Sequence, residues 1–278
     1  MNADLHLHTD HSDGTFLPEE VIRRAKVLGL AAVSITDHDT AAGLSEAIQA
    51  AAGAIEIIPG VELTATYRDR ELHILGYCVD CEEPGFKSFL TRMQAYRRER
   101  IQTMLDRLAA YKIQIAFEEV EKIAGRGALG RPHVAEALLA HKVVKSMDEA
   151  FRQYLGDRAP CFVKGATVTV SGAVEIIRKA GGVAILAHPH RMVEDAWLSD
   201  LVANGIQGIE VYHPDHDPSV VKKYRRIVKE RQLLMSGGSD CHGMRRDGGP
   251  VLGTVTVPYE CVERLKAAAG RSGEGVAV

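Results

Sequence analysis

No run of apolar residues in this 278-residue chain approaches the ~18 that a membrane-spanning helix needs, so no membrane partner is expected. Positive charge is not in excess either. Lys and Arg number 34 against 37 Asp and Glu, a formal net charge of −3, and no overall basic field argues for binding duplex DNA. Cysteine is sparse and odd in number. Five thiols (Cys78, Cys81, Cys161, Cys241 and Cys261) in a chain without a secretory leader argue against a disulfide framework. Cys78-Val79-Asp80-Cys81 is formally CxxC, but it lacks both the second pair of a zinc ribbon and the helix start that activates a thiol. Structural cysteines are expected. The opening Met1-Asn2-Ala3-Asp4 is acidic and enters a strand at once, with no targeting segment, so the expected location is the cytoplasm. Internal repeats and low-complexity tracts are missing, and only the Gly/Ser-rich end, Gly270–Val278, is expected to fray. What is present is ordinary: 46% hydrophobic and 26% charged residues, mean hydropathy −0.08, and length enough for one large α/β domain.

Hydrophobic periodicity lays out a repeated β-α chain. Ala3–His8 reads as a strand, and Pro18 with Glu19 and Glu20 opens a helix carrying Val21, Ile22, Ala25 and Leu28. Then come a strand at Ala31–Ile35, a helix over Leu44–Ala52, a strand from Ile55 past Pro59-Gly60 to Glu62, and a strand at Leu72–Tyr77. From about Pro84 to Gly156 only helices are expected, a long one through Met93, Ile101 and Leu108 and then three shorter ones. On the long helix, Arg97-Arg98-Glu99-Arg100 reads as a solvated face. Alternation resumes through strands at Val183–Ala187, Gly208–Tyr212 and Leu233–Ser236, with helices between them and a last helix at Tyr259–Ala269. The rhythm predicts a parallel α/β sheet or barrel formed by residues 1–83 and 165–278, with 84–164 as a helical insertion that caps the substrate.

The informative feature is where the ionisable residues fall. Asp4 to Gly14 holds three histidines and three aspartates in eleven positions. In that first strand His6 and His8 share a face opposite Leu5 and Leu7, so two imidazoles converge as a metal pair would require. A lone HxH is usually an exposed polar strand face; the other strands decide. Asp37 and His38 end the second, Glu62 the third, His188 follows Val183–Ala187, and Asp240 and His242 follow the last. In a parallel barrel all these ends open onto one face, the face that carries chemistry. His73 sits inside its strand and reaches that face only if the strand starts there. Repeated His, Asp or Glu at strand ends points to a polynuclear metal centre.

Taken together these residues resemble the PHP family of metal-dependent phosphoesterases. The motifs fall in order: DxHxHxxxSDG at the start, TDHD at Thr36–Asp39, GVEL at Gly60–Leu63, His73 before Leu75-Gly76-Tyr77, AHP at Ala187–Pro189 and GSDCH at Gly238–His242. The resemblance implies a distorted seven-stranded (β/α) barrel with two or three divalent ions, manganese foremost and zinc, iron or magnesium as alternatives. It further implies one ion on His6, His8, Glu62 and Asp240, a second on Glu62, His73 and His188, and a third on Asp13, His38 and His242. The insertion with Arg131-Pro132-His133 resembles the bacterial members that act on nucleotides. For those the implied substrates are the 3′-phosphate of nucleoside 3′,5′-bisphosphates and short 5′-phosphorylated RNA.

Three carboxylates against three divalent ions leave a positive centre that selects phosphate in a net acidic protein. The implied nucleophile is a hydroxide bridging two ions, and the ions also neutralise charge on the phosphoryl oxygens. Cations near the barrel mouth are then needed to orient the phosphate. Arg191, Arg131, His133 and Lys164 are the candidates to bind substrate, and His216 to touch phosphate or protonate the leaving oxygen. Asp37 is expected to orient a liganding imidazole, while His11, His141, His190 and His213 carry no assignment. Two other readings use the same residues: a phosphatase acting on another small metabolite such as histidinol phosphate, and a non-catalytic metal or nucleotide sensor.

Overall fold

The computed structural model describes residues 1–68, 70–165, 168–191, 193, 195–244 and 251–273, the side chains of Arg191, Asp195 and 271–273 excepted. Strand β1 (Asn2–Leu7) leads to helix α1 (Pro18–Val27), where Pro18 sets the first turn, Glu19 and Glu20 meet the positive end, and Val21, Ile22 and Ala25 are buried. Then come β2 (Ala32–Ile35), α2 (Leu44–Ala51), β3 (Glu56–Ile57), β4 (Gly60–Tyr67) and β5 (Arg70–Tyr77). The expected single strand over 55–62 is thus broken at Pro59, and its halves join different sheets. At Gly60 a Cβ would overlap the Ser34 hydroxyl, so only glycine lets the chain cross there.

The insertion comprises α3 (Pro84–Ala110), α4 (Phe117–Ala124), α5 (Arg131–Ala140) and α6 (Met147–Ala150), the last continued by a π-turn over Phe151–Leu155. It has its own core, in which Ile101, Met104, Leu108, Val134, Leu138 and Leu155 are buried together. The remaining elements are α7 (Val170–Lys179), β6 (Val183–Leu186), α8 (Leu198–Ala203), β7 (Gly208–Tyr212), α9 (Pro218–Glu230), β8 (Leu234–Gly237), β9 (Val257–Pro258) and α10 (Tyr259–Gly273). Among the described residues no helix is long and apolar enough to cross a membrane.

The architecture is mixed α/β, and the expectation of an all-parallel sheet is corrected by the pairing. Two open sheets form, β3-β2-β1-β9 and β4-β5-β6-β7-β8, rather than one continuous seven-stranded ring. Strand β5 runs antiparallel to both β4 and β6, because the short β4–β5 turn makes a hairpin, too short for the crossover that parallel strands need. The sheets meet at two parallel bridges, Leu7 with Cys241 and His38 with Glu62, both next to expected site residues. Inside, the Tyr77 hydroxyl donates to the Leu5 carbonyl at 2.9 Å and lies 2.8 Å from Ser236 Oγ, tying β5 to β1 and β8. The five cysteines are free thiols, and burial pushes Cys78 and Cys81 up to about 11 and about 12, consistent with inert residues.

Candidate metal centre

The reversal of β5 resolves the position of His73. Because β5 runs opposite to β4, its N-terminal half lies beside the C-terminal ends of the parallel strands, and His73 pairs in register with Thr64, two residues past Glu62. The face expected from the sequence therefore collects His6, His8, Asp13, His38, Glu62, His73, His188, Asp240 and His242. Three groups offer ligand atoms within 4.8 Å of one another: His8, Asp13, His38 and His242; His6, His8 and Asp240; and His38, Glu62 and His73. His188 joins through its Nε2, 2.9 Å from Glu62 Oε1.

Glu62 is the hub, buried to 1% exposure. Its Oε2 lies 3.3 Å from His6 Nε2, 3.3 Å from His8 Nε2 and 3.1 Å from His38 Nδ1, and its Oε1 lies 2.9 Å from both His73 Nδ1 and His188 Nε2. Five imidazoles on one carboxylate cannot all be hydrogen-bond donors to it. His38 Nδ1, His73 Nδ1 and Asp13 Oδ1 are buried with no hydrogen-bond partner, so short contacts exist there without hydrogen-bond direction. Lone pairs converging in this way are what a shared cation would satisfy. Spacing agrees. His6 Nε2 and His8 Nε2 are 3.1 Å apart and each lies 3.2 to 3.4 Å from Asp240 Oδ1. A tetrahedron with ligand bonds of about 2.0–2.1 Å has edges of about 3.3 Å. The donor set fits a bound divalent ion.

Electrostatics point the same way. Burial alone would raise the carboxyl of Glu62, but the imidazoles of His38, His73 and His6 outweigh it and hold Glu62 well below the ordinary carboxylate range. Asp13 and Asp240 are likewise held down against burial, Asp13 by His242 and His38 and Asp240 by His6 and His242. Burial and the neighbouring imidazoles keep His38 well below the ordinary imidazole value. Backbone strain gathers here too: Asp39, His188 and Asp240 take φ of 53°, 24° and 47°, a region disfavoured outside glycine.

Several residues around the centre carry no assignment in the sequence reading. Glu210, in the middle of β7 and fully buried, receives His6 Nδ1 at 2.8 Å and the His188 amide at 2.7 Å. The signal was one charged residue between Ile209 and Val211 in an otherwise buried strand. His213 Nε2 stands 3.1 Å from Asp240 Oδ2, and its ring faces His188. His216, expected at the phosphate, lies one layer behind, its ring centroid 5.4 Å from that of His213 and its Nδ1–H donating to the Val211 carbonyl at 2.9 Å. Asp4 accepts from the amides of Ser239 and Gly253 and from the Ser239 hydroxyl, pinning β1 to the loops after β8.

Among the described residues Asp37 forms no hydrogen bond or ion pair with an imidazole. It accepts from the Thr9 amide and hydroxyl and, at 2.5 Å, from the Ser12 hydroxyl, and Ser12 in turn lies 3.4 Å from His8 Nδ1. It therefore shapes the loop that carries Asp13. Of the other histidines, His11 pairs with Glu46, His141 with Glu119, and His190 faces the His216 ring.

The reading of Arg97 to Arg100 as a solvated face is overturned for two of its residues. Arg97 and Arg100 are 7% and 8% exposed because positions three apart share the face that α3 turns toward the sheets. Arg97 binds Asp39, Thr64 and the Leu129 carbonyl, and Arg100 binds Glu71 and the Val163 carbonyl. Arg98 is exposed, against Glu121. With Arg131 these arginines line a cleft against Asp13, His38 and His73. Arg131 itself holds Glu71 at 3.2 Å and Asp157 at 2.9 Å. His133 accepts from the Gly130 amide, capping α5, and borders a second recess with Asp13. Lys164 is exposed on the segment returning from the insertion. The Arg191 side chain lies outside the described residues.

Comparison with known proteins fits this geometry. The chain is 33% identical over 247 residues to the 5′-3′ exoribonuclease Rnm of Escherichia coli, covering 86% of this chain and 84% of that one. It is 34% identical over 267 residues to the 3′,5′-nucleoside bisphosphate phosphatase of Chromobacterium violaceum, covering 94% of each. A solved structure from Bifidobacterium adolescentis, described as a metal-dependent phosphoesterase, superposes with a TM-score of 0.85 at 30% identity over 95% of both chains. The model of the PHP domain matches residues 4–156, more than half the length. On that match and these identities, the chain belongs to the PHP domain family and is a hydrolase of phosphate esters.

Proposed function

We propose that this metal-dependent phosphoesterase acts on nucleotides, removing the 3′-phosphate of nucleoside 3′,5′-bisphosphates and processing short 5′-phosphorylated RNA. The observation that carries it is the Glu62 carboxylate facing five imidazoles at 2.9 to 3.3 Å, with orphaned nitrogens that a cation would satisfy. His6, His8, Glu62 and Asp240 would hold one divalent ion, Glu62 with His73 and His188 a second, and Asp13, His38 and His242 a third, with His8 and His38 near enough to share between sites. Manganese is the preferred ion. Bound there, divalent ions supply Lewis acidity toward phosphoryl oxygens and lower the pKa of water.

The chain's own residues do the rest. Glu210 fixes the tautomer of His6 and the turn at His188, so both rings are aimed before substrate arrives. Arg131, now forked between Glu71 and Asp157, is placed to exchange Asp157 for a phosphate and take two of its oxygens. His133 borders the neighbouring recess, which shares Asp13 with the Arg131 cleft, and Lys164 and Arg191, the latter three residues after His188, are further candidates to bind phosphate. His213, beside Asp240, replaces His216 as the group positioned to pass a proton to a leaving oxygen. The two bridged sheets support reading the fold as one distorted PHP barrel, with residues 84–164 capping its mouth and the polypeptide working in the cytoplasm.

Phosphate release from a nucleoside 3′,5′-bisphosphate by manganese-loaded protein tests the reading. It should be lost, by about 100-fold or more, in His188→Ala. Faster turnover of histidinol phosphate, or no turnover of either with metal present, would overturn it.

A further inference from the structure

Helix α9 carries an unusual concentration of one charge for a net acidic chain. Lys222, Lys223, Arg225, Arg226 and Lys229 lie within its thirteen residues, and Glu230 is their one acidic neighbour on the helix. Arg226 meets Glu230 only at 3.8 Å. Lys222, Arg225 and Lys229 are exposed and form no ion pair among the described residues. A merely solvated helix face would normally intersperse both signs.

The shape beside this helix is as informative as its charge. One groove, bordered by His216, Pro218, Lys222, Arg225 and Lys229, opens next to the loop that follows β7. A second shares Arg225 and Lys229 and continues past Leu233 to Arg264 on α10. Taken together, the two grooves that meet at Arg225 and Lys229 follow α9 as a trough, and the helix itself is about 20 Å long over its thirteen residues. Its floor is apolar (Val221, Leu233, Ala268) and its rim basic. Its upper end starts at His216, whose ring packs on His213, which in turn contacts Asp240 of the candidate centre. The acidic Asp217 at that end is engaged in capping α9 through the Ser219 and Val220 amides.

We infer that this trough carries the phosphodiester backbone of a single-stranded polynucleotide whose end lies in the metal centre. The inference rests on the phosphoesterase reading above and adds where the remainder of a long substrate goes. Cations spaced along an apolar floor suit phosphates alternating with sugars and bases, and a linear track favours a strand over a compact mononucleotide.

The test uses the full chain and separates the trough from the centre. Arg225→Ala/Lys229→Ala is compared with wild type and with Lys87→Ala/Arg92→Ala, a control of equal charge change on the outer face of α3. Binding of a fluorescein-labelled RNA decamer to chelator-treated protein is read by anisotropy, which needs no turnover. The trough variant should bind at least about tenfold more weakly at low salt, and its log–log salt slope should be shallower by about 1.4, two lost contacts at ~0.7 each. With metal, KM for a 5′-phosphorylated decamer should rise by a similar factor, while kcat and the KM for a nucleoside bisphosphate stay within about twofold. The control should match wild type throughout. Unchanged decamer binding in the trough variant, an equal loss in the control, or binding to phosphatidylserine vesicles but not to RNA would each overturn the inference. Binding as expected with no turnover of any phosphate ester would leave the trough standing and overturn the functional reading instead.

Discussion

His6 Nδ1 lies 2.8 Å from Glu210 Oε1 with both side chains fully buried, and that contact makes Nδ1 the donor and leaves Nε2 to face the centre. Burial would push the Glu210 carboxyl up, but the His6 imidazole outweighs it and holds Glu210 below the ordinary value. A carboxylate behind a liganding imidazole raises its basicity and fixes its orientation. Glu210→Ala should therefore weaken manganese binding about 10- to 100-fold. Glu210→Gln should lose less, because the amide oxygen still accepts from Nδ1–H. Metal titration followed by electron paramagnetic resonance checks both, and affinity equal to wild type in the alanine variant would contradict the role.

Loading the centre with metal should release protons. Burial drives His73 and His242 toward the neutral form, yet Glu62 and Glu71 outweigh it at His73, and Asp13 and Asp240 at His242, leaving each at about 10. In metal-free protein these raised values stabilise the fold fully below the ordinary imidazole value of 6.5, and that contribution is lost as pH rises toward about 10. An ion takes the neutral ring, so binding at pH 7.5 must expel what these two hold. Calorimetry in buffers of different ionisation enthalpy should find about two protons released per chain, with affinity rising steeply with pH. Release near zero would show that the rings are already neutral.

Much of this was legible along the chain because the strand ends are local features. His6 and His8 show their shared face by alternation, and Glu62, His188 and Asp240 each terminate an apolar run. What stayed hidden depended on direction and distance. Nothing in Leu72–Tyr77 says that β5 runs backwards, and only that reversal delivers His73 and Glu71 to the mouth. Glu210 sits in mid-strand, where attention to strand ends passes it over. Arg97 and Arg100 look like surface charge until their partners Asp39 and Glu71, 58 and 29 residues away, fold against them. His213 and His216 stand in one loop after β7, and only its conformation shows that His213 is the one beside Asp240.

Arg97 joins the insertion to the centre. Its Nε donates to Asp39 Oδ2 at 2.7 Å, Nη2 to Thr64 Oγ1 at 3.1 Å and Nη1 to the Leu129 carbonyl at 2.9 Å. Asp39 follows His38, Thr64 lies two residues past Glu62, and Leu129 precedes the segment carrying Arg131. Removing the guanidinium leaves the buried Asp39 with the Thr64 amide and hydroxyl but without its cationic partner, which costs about 3–5 kcal/mol. Arg97→Met should lose that much in urea unfolding. Arg97→Lys restores charge without the three-way fork, and should recover part of the stability while kcat stays depressed. Full recovery of kcat with lysine would mean that the charge alone matters.

Glu71 gives the protein an acid-sensitive joint between β5 and the helical insertion that carries Arg100 and Arg131. Burial would raise its carboxyl, but the His73 imidazole 3.7 Å away and the charges of Arg100 and Arg131 outweigh burial and hold it far below the ordinary 4.5. A depressed carboxylate stabilises the fold fully above its unfolded value and loses that contribution as pH falls through the folded one. Glu71→Gln should therefore be less stable than wild type by about 3 kcal/mol at pH 7. The gap should hold down to about pH 5 and shrink as pH drops below 4.5 toward 2, because over that window the unfolded wild-type chain takes up a proton that the folded carboxylate, held far below 4.5, does not, while glutamine does not titrate. Paired urea unfolding curves at pH 7, 5 and 3 measure it. A gap unchanged at pH 3 would mean that shape, and not charge, is what Glu71 contributes to the contact between Arg100, Arg131 and His73.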